Sequence, residues 1–154
     1  MIAVLQRVSE ASVIADGVAA GRIGAGLFIL LGVLEGDDAT DALLLAEKIA
    51  KLRIFSDDQG KMNLSVKDIG GASLVVSNFT LAANYAKGNR PDYLRAAAPA
   101  VAEPLYEHFS SLLGERIGVV ENGVFGADMQ ISMVADGPVT IVMDSSVLRK
   151  GGRG

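Results

Sequence analysis

Residues 26–34 read GLFILLGVL, which is the longest apolar run in the chain, and glycines flank it on both sides. The run is far shorter than the roughly 18 residues that a membrane-spanning helix needs. A short apolar run flanked by glycines is typical of a strand that is buried on both faces of a sheet. We therefore expect a buried central strand here and no membrane association.

Two segments with a helical period can cover such a strand. In residues 37–52, leucines and Ile49 trace one stripe behind a group of acidic residues, as at the start of a helix. In residues 100–116, apolar side chains recur at spacings of four, four and three. We therefore predict two helices, the second of which tolerates Pro104 only if that residue lies in its first turn.

The remaining apolar segments have the composition and length of strands, and Asp16-Gly17 predicts a hairpin between two of them. Strands outnumber helices too heavily for a doubly wound fold. We therefore predict an α/β protein with a layered, mixed or barrel-like β-sheet and two main helices packed on one side. Residues 55–65 are expected to form a polar loop. The predicted strands are residues 2–8, 11–15, 18–24, 26–34, 72–83, 117–121, 124–134 and 139–143.

The 154 residues suit one domain of ordinary size, which we place at residues 1–144. The small, basic and glycine-rich segment 145–154 is expected to be a flexible tail. The N-terminus lacks the basic segment and the long apolar stretch of a signal peptide, so we expect a cytoplasmic protein. The absence of cysteine fits that compartment.

Composition excludes several kinds of site. Without cysteine the chain has no disulfide, thiolate nucleophile or cysteine-bound zinc, and with His108 as the only histidine it has no multi-histidine metal centre. We expect His108 to be an ordinary surface residue of the second helix, and we expect no metal and no cofactor. The net charge of −4 disfavours a protein that coats a duplex by neutralising phosphates, but it permits small contacts with a nucleic-acid end.

Two short stretches carry polar groups or backbone constraints that a core does not need. Residues 77–83, SNFTLAA, set polar side chains in an apolar strand, either as the wall of a site or as groups that satisfy one another across the ladder. Residues 134–143, VADGPVTIVM, indicate a strand, a sharp turn at Gly137-Pro138 and a second strand. Neither stretch alone defines a function.

Six segments occur together in an order and spacing that resemble one protein family. The combination of the Phe79-Thr80 stretch with the Gly-Pro-Val-Thr turn at 137–140 is much more specific than either half alone. Over residues 1–143 the chain resembles the D-aminoacyl-tRNA deacylases, formerly called D-tyrosyl-tRNA deacylases. The segments are QRVSEASV (6–13), GRIGAGLFILLGV (21–33), LRIFSDDQGKMNLSV (52–66), SLVVSNFTLAA (73–83), KGNRP (87–91) and FGADMQISMVADGPVT (125–140).

The resemblance implies a homodimer that hydrolyses the ester between a D-amino acid, or glycine, and the 3′-terminal adenosine of tRNA. It implies that the acceptor end of tRNA is the partner and that L-aminoacyl-tRNA is spared. Each active site then lies at the dimer interface, where Gly137, Pro138 and Val139 of one subunit enter the pocket of the other and the Gly-Pro peptide bond is cis. An L side chain would strike this stiff backbone wall, whereas a D side chain would point away from it.

The resemblance also implies roles for the residues of the polar stretch. Phe79 and Thr80 are the implied catalytic residues, and their backbone amides are suited to hold the ester carbonyl or its developing oxyanion. We expect Thr80 to have a positioning role and not to act as a nucleophile, because no evident base is available to activate it. The resemblance assigns the assistance of water to the 2′-hydroxyl of the terminal ribose. Ser77 and Asn78 are expected to bind substrate beside these two residues.

Other expected binding residues are distant in the sequence. Arg7 matches the family's arginine that braces the Gly-Pro turn. Phe125 and Met129 resemble residues that line the adenosine pocket. Lys87 and Arg90 are candidates for contacts with tRNA phosphates, although a solvated basic loop would have the same composition.

The chain departs from the family pattern at two positions. Asn78 stands where the family usually has glutamine, and Ala135 stands where it usually has asparagine. If the side chain missing at Ala135 helps to hold the turn, chiral discrimination is looser in this protein. Two alternatives therefore stay open beside the leading one: a family variant with relaxed or shifted specificity for misacylated tRNA, and a non-catalytic dimer that binds tRNA acceptor ends.

Overall fold

The computed structural model describes residues 1–151, which contain eight strands and three α-helices. The strands are β1 (Ile2–Ala15), β2 (Val18–Ile23), β3 (Gly26–Gly32), β4 (Phe55–Ser56), β5 (Met62–Leu64), β6 (Ala72–Ser77), β7 (Val120–Asn122) and β8 (Met129–Asp144). The helices are α1 (Ala39–Lys51), α2 (Pro99–Ile117) and α3 (Ser145–Gly151), and a 3₁₀ turn (Phe79–Ala82) follows β6.

Six strands form one mixed sheet that curves until its ends approach each other. β1 is antiparallel to β2, β3 and β8, whereas β6 is parallel to β3 and β7. The strand order is β2-β1-β3-β6-β7, yet a Cβ atom at Gly21 of β2 would lie 3.0 Å from the Asn122 carbonyl oxygen of β7. The expected α/β fold with a barrel-like sheet is therefore confirmed. The expected hairpin at Asp16-Gly17 is also present, with Ala15 paired to Val18.

β3 is buried on both faces, as its apolar run predicts. Leu27, Ile29 and Leu31 belong to the core cluster that α1 and α2 cover. Phe28 points the other way, into a second core cluster that it forms with residues of β1, β2 and β6. The two main helices thus share one face of the sheet, and the site described below lies beside that layer.

The helices begin close to their expected positions. Asp38 caps α1 by accepting the Thr40 N–H at 2.8 Å, and the Asp41 carboxylate returns a bond to the Asp38 N–H at 2.9 Å. α2 begins at Pro99, so Pro104 is its sixth residue and lies beyond the first turn, where we had not expected a proline to fit. Burial of the α2 side chains against the core offsets the lost backbone hydrogen bond. Within residues 1–151, no helix is long and apolar enough to cross a bilayer.

β6 ends at Ser77, six residues before the expected end of that strand at position 83. The reason is local, because Asn78 Oδ1 accepts the Thr80 N–H at 3.1 Å and so replaces a ladder hydrogen bond. The chain then enters the 3₁₀ turn. A similar correction applies to the polar loop expected at 55–65, where β4 and β5 form a short antiparallel pair.

The two strands expected around Gly137-Pro138 are one long strand, β8, and the turn between them does not reverse the chain. Ala135 pairs with Val8 and Thr140 pairs with Gln6 of the same β1 neighbour. Residues 136–139 therefore face a single β1 residue, Arg7, and form an irregularity that we call the 136–139 bulge. The pairing with β1 on both sides of the bulge fixes where it leaves the sheet.

The segment after β8 is a helix and not the flexible tail that its composition predicts. Asp144 Oδ1 accepts the Ser146 N–H at 2.9 Å at the start of α3. Arg149 of α3 then donates to the Asp41 carboxylate of α1 at 2.7 Å, which ties the helix to the main body. The rest of the predicted tail, residues 152–154, lies outside the described residues.

Asp41 is the centre of this attachment. Burial acts to raise its pKa, but hydrogen bonds from Arg149, from the Asp38 backbone and from the Ser145 hydroxyl outweigh burial. The net effect holds the pKa of Asp41 well below its ordinary value. The carboxylate therefore stays charged at neutral pH and keeps α3 docked on α1.

Candidate active site

A cavity of about 670 Å³ opens where the end of β6 meets the start of α2 and the segment that precedes β8. Its wall is mostly apolar, and among residues 1–151 the only ionisable side chains that line it are Tyr93 and Tyr106. The volume is in the range of pockets that hold small-molecule ligands. Such a wall suits a flat, weakly polar ring better than a charged group.

Asn78 shapes the β6 side of the cavity. Its Oδ1 accepts both the Thr80 N–H, at 3.1 Å, and the Thr80 hydroxyl. The Phe79 and Thr80 amides were both expected to be suited to a carbonyl oxygen. Of these two, the Thr80 N–H is already bonded, and only the Phe79 N–H has no acceptor among residues 1–151. One amide, and not two, is thus available to a carbonyl oxygen at this edge.

Two aromatic rings mark the mouth of the cavity. The Phe79 side chain is 61% exposed, and its ring meets the ring of Tyr93 edge to face with 5.1 Å between centroids. Edge-to-face pairs of this kind are favourable beyond the area they bury. The contact fixes the Phe79 ring although most of that ring faces outward.

Tyr106 closes the inner end of the cavity. Its hydroxyl donates to the Val75 carbonyl oxygen at 2.8 Å, and its ring lies 6.0 Å from that of Phe125. Burial, with a smaller contribution from the Glu107 carboxylate, raises the pKa of the Tyr106 phenol far above its ordinary value. Tyr106 therefore stays protonated at neutral pH and shapes the cavity without acting as a base.

The expected site residues fall into two groups in one chain. Five of them line the cavity, and Thr80 follows them in the 3₁₀ turn with an exposed side chain. The 136–139 bulge and Arg7 do not line the cavity of their own chain. The five lining residues are Ser77, Asn78, Phe79, Phe125 and Met129.

The 136–139 bulge is exposed at Gly137 and Pro138, and the peptide bond between them is cis. Arg7 holds the base of the bulge, because its Nε donates to the Asp136 carbonyl oxygen at 2.9 Å. Its Nη1 donates to the Ile54 carbonyl oxygen at 2.8 Å, which anchors the guanidinium from the other side. One arginine thus links the bulge to the loop that follows α1.

Among the side chains that the structure describes, none that lines the cavity could act as a general base at neutral pH. His108 is exposed on α2 and does not line the cavity, which agrees with the expectation of an ordinary surface histidine. The described part of the chain also holds no cluster of three His, Asp or Glu residues that could bind a metal ion.

Sequence reasoning missed the two tyrosines of the wall. Tyr93 follows Arg-Pro-Asp in a basic loop, and nothing in that composition indicates a ring packed on Phe79. Tyr106 falls within the apolar pattern of α2 and reads as an ordinary core residue. Its position beside Phe125 depends on contacts between distant segments, which no local pattern carries.

Comparisons with known sequences point to one family over almost the whole chain. A family model described as D-Tyr-tRNA(Tyr) deacylase matches residues 4–144. A D-aminoacyl-tRNA deacylase of Chloroflexus aurantiacus is 57% identical over 149 residues, which cover 97% of this chain and 93% of that relative. The corresponding protein of Porphyromonas gingivalis is 53% identical over 146 residues, which cover 94% and 97% of the two chains.

Solved structures agree with the fold. A structure titled c-Myc DNA Unwinding Element Binding Protein superposes with a TM-score of 0.87 at 39% identity, covering 94% of this chain and 98% of the other. A probable eukaryotic D-amino acid tRNA deacylase superposes with a TM-score of 0.77 at 19% identity, covering 92% and 97%, which shows the fold alone. From the family match and these relatives, the chain belongs to the D-aminoacyl-tRNA deacylase family, whose members are hydrolases that act on the ester of aminoacyl-tRNA.

Proposed function

We propose that this deacylase works as a homodimer in which the 136–139 bulge of each protomer completes the cavity of its partner. In this form it hydrolyses D-aminoacyl-tRNA and glycyl-tRNA and rejects L-aminoacyl-tRNA. The observation that carries the proposal is the separation of the two halves of the expected site. The bulge is exposed outside its own cavity, while the mouth of that cavity is open beside Phe79.

β8 provides the face that we assign to the second protomer. One edge of β8 pairs with β1, and its other edge pairs with no strand among residues 1–151. A long edge with unpaired backbone groups and apolar side chains is a template for association with another chain. The exposed apolar side chains of β8 are Ile131, Met133, Val134 and Val142.

The proposed reaction asks little of the protein's side chains. The terminal adenosine lies against Phe125 and Met129, and the free Phe79 N–H donates to the ester carbonyl oxygen. Water attacks the carbonyl carbon, the bond to the ribose oxygen breaks, and that oxygen takes up a proton. The Phe79 N–H stabilises the negative charge that develops on the carbonyl oxygen. The neighbouring 2′-hydroxyl of the substrate assists the water, because the cavity wall supplies no base.

In this proposal the enzyme distinguishes L- from D-aminoacyl groups by a steric clash with the backbone of the 136–139 bulge. The bulge presents the bare chain at Gly137, so an L side chain meets a wall while a D side chain extends into open space. Such a wall does not measure the size of the D side chain, and glycine passes because it has no side chain. Ala135 adds no polar group beside the bulge, so Arg7 is the side chain that holds it. Relaxed discrimination is the alternative that this position favours.

Mixed dimers test whether the site is shared. Gly137→Val alters the bulge, because a Cβ atom there would lie 2.3 Å from the Val139 nitrogen, and Ala127→Trp fills the cavity. Each variant alone should be inactive on D-Tyr-tRNA. After random exchange of subunits, half of the dimers are mixed and each contains one intact site, so about one quarter of the wild-type activity should return.

The same assay distinguishes the alternatives. Failure to recover activity, although mass spectrometry shows mixed dimers, would place the bulge outside the shared site. Parallel assays on D-Tyr-tRNA, L-Tyr-tRNA and Gly-tRNA measure discrimination in the wild-type protein. Comparable cleavage of the D and L forms favours the relaxed variant, and tight binding of all three without cleavage favours a non-catalytic binder.

A further inference from the structure

Tyr85 lies in the loop that follows the 3₁₀ turn, and no interaction within the described chain accounts for its ring. The side chain is 79% exposed, and neither an aromatic neighbour nor a hydrogen bond engages it among residues 1–151. An aromatic ring held out in solvent exposes apolar surface at a cost, which suggests that another molecule covers it.

The loop that carries Tyr85 is held at its base. Asn84 and Asp92 exchange two backbone hydrogen bonds, at 2.8 and 3.0 Å, and their side chains are joined at 2.9 Å. Asn84 Oδ1 also accepts the Ala86 N–H at 3.2 Å, across Tyr85. The backbone on both sides of Tyr85 is thus fixed, and its ring is presented from a built platform.

The same base connects Tyr85 to the cavity. Tyr93 directly follows Asp92 and packs on Phe79 at the mouth. Tyr85 directly follows Asn84, the partner of Asp92 across the bridge. The base of the 84–92 loop therefore adjoins the Phe79–Tyr93 pair at the cavity mouth.

The 84–92 loop carries positive charge on a chain whose net charge is −4. Lys87 and Arg90 are exposed, and neither forms an ion pair with a carboxylate among the described residues. The Asp92 carboxylate nearby is already bonded to Asn84 and to the Leu94 N–H. An exposed aromatic ring in the same loop as two exposed cations has the chemistry that binds single-stranded nucleic acid, with stacking for the base and charge for the phosphates.

We propose that Tyr85 is a stacking platform for the unpaired nucleotide that precedes the terminal adenosine of tRNA, with Lys87 and Arg90 on the adjoining phosphates. The inference rests on the proposed function, because it assumes that the terminal adenosine occupies the cavity. It adds that the enzyme holds at least two successive nucleotides of the acceptor end. The charge and the continuity with the cavity favour RNA over a protein as the occupant of this surface.

A pair of substrates separates this role from catalysis. D-Tyr-tRNA contains the preceding nucleotide, whereas the minimal ester 3′-O-D-tyrosyl-adenosine lacks it. Tyr85→Ala should raise KM for D-Tyr-tRNA by about tenfold or more, the usual effect of losing one base-stacking contact, and leave hydrolysis of the minimal ester unchanged. Tyr85→Phe keeps the ring and should behave as wild type on both substrates.

A binding measurement makes the test independent of turnover. In tRNA with 2-aminopurine at the penultimate position, stacking on Tyr85 should quench fluorescence on binding, and Tyr85→Ala should abolish the quench. The inference is overturned if Tyr85→Ala leaves the quench and KM intact, if it affects both substrates equally, or if it changes the oligomeric state in sedimentation. A wild-type protein that cleaves neither substrate yet shows the quench would contradict the proposed function and leave the stacking role standing.

Discussion

Replacement of Arg7 by methionine tests how the 136–139 bulge is held. The Arg7 side chain is only 12% exposed, and its guanidinium donates hydrogen bonds to the carbonyl oxygens of Asp136 and Ile54. Methionine has a similar length and fills the same space, but it donates to neither oxygen. The substitution therefore removes the hydrogen bonds while it leaves most of the packing in place.

The size of the effect follows from those two bonds. A hydrogen bond from a charged donor contributes about 1.5–3 kcal/mol, and part of the loss is recovered when the freed carbonyls reach water. We expect a net cost of about 3 kcal/mol, which corresponds to roughly a hundredfold increase in the population of the open bulge. Opening should stay local, because β8 pairs with β1 on both sides of the bulge.

Hydrogen exchange on a peptide that spans residues 133–141 is the direct assay. Arg7→Met should speed exchange there by about two orders of magnitude and should raise the ratio of L-Tyr-tRNA to D-Tyr-tRNA cleavage. Arg22→Met is the matched control, since Arg22 is 79% exposed and its nearest carboxylate oxygen, on Glu10, is 3.8 Å away. Unchanged exchange at the bulge in Arg7→Met, or an equal change in the control, would refute the bracing role.

Three further predictions concern other parts of the molecule. Thr80→Ser keeps the hydroxyl that bonds to the preceding amide side chain, so steady-state hydrolysis of D-Tyr-tRNA should stay within about twofold of wild type, whereas Thr80→Val should lose activity. Charge reversal at both Lys87 and Arg90 should weaken tRNA binding and lower the slope of log affinity against log salt by about 2, as measured by titration at several salt concentrations. Arg149→Met should lower Tm at pH 7, and its difference from wild type should shrink as pH falls below about 4, because the depressed pKa of Asp41 stabilises the folded state only while that carboxylate is charged.

Each of these outcomes has a control. A dead Thr80→Ser variant would argue for a nucleophilic hydroxyl. Arg22→Glu changes a charge on β2, outside the 84–92 loop. If this variant lost as much salt dependence of tRNA binding, the effect would not be specific to the loop. A Tm difference for Arg149→Met that persists unchanged at pH 3 would show that the helix is held by packing and not by the charged Asp41.

Local signals were sufficient for the regular parts of the fold. The apolar run around Phe28 predicts a strand buried on both faces, and Asp16-Gly17 predicts the hairpin between β1 and β2. The signal that ends β6 is also local, since Asn78 bonds to a residue only two positions away. That signal was hidden because the apolar residues after it continue the pattern of a strand.

The features that local patterns could not predict depend on residues that are far apart in the chain. Arg7 and Asp136, whose contact defines the bulge, are 129 positions apart. Arg149 and Asp41, which dock α3, are 108 positions apart. Composition describes each residue alone and cannot report such a contact. The cavity could not be predicted from local patterns for the same reason, because its wall is formed by the end of β6, the start of α2 and the segment before β8.

β8 fixes the distance between two features that the proposed function uses. Met129, at the start of β8, belongs to the cavity wall, and the 136–139 bulge lies a fixed number of residues further along the same strand. Since a slip of one residue against β1 turns every side chain to the opposite face, that interval cannot lengthen or shorten gradually. An insertion or deletion between these two points would change their separation by whole residues.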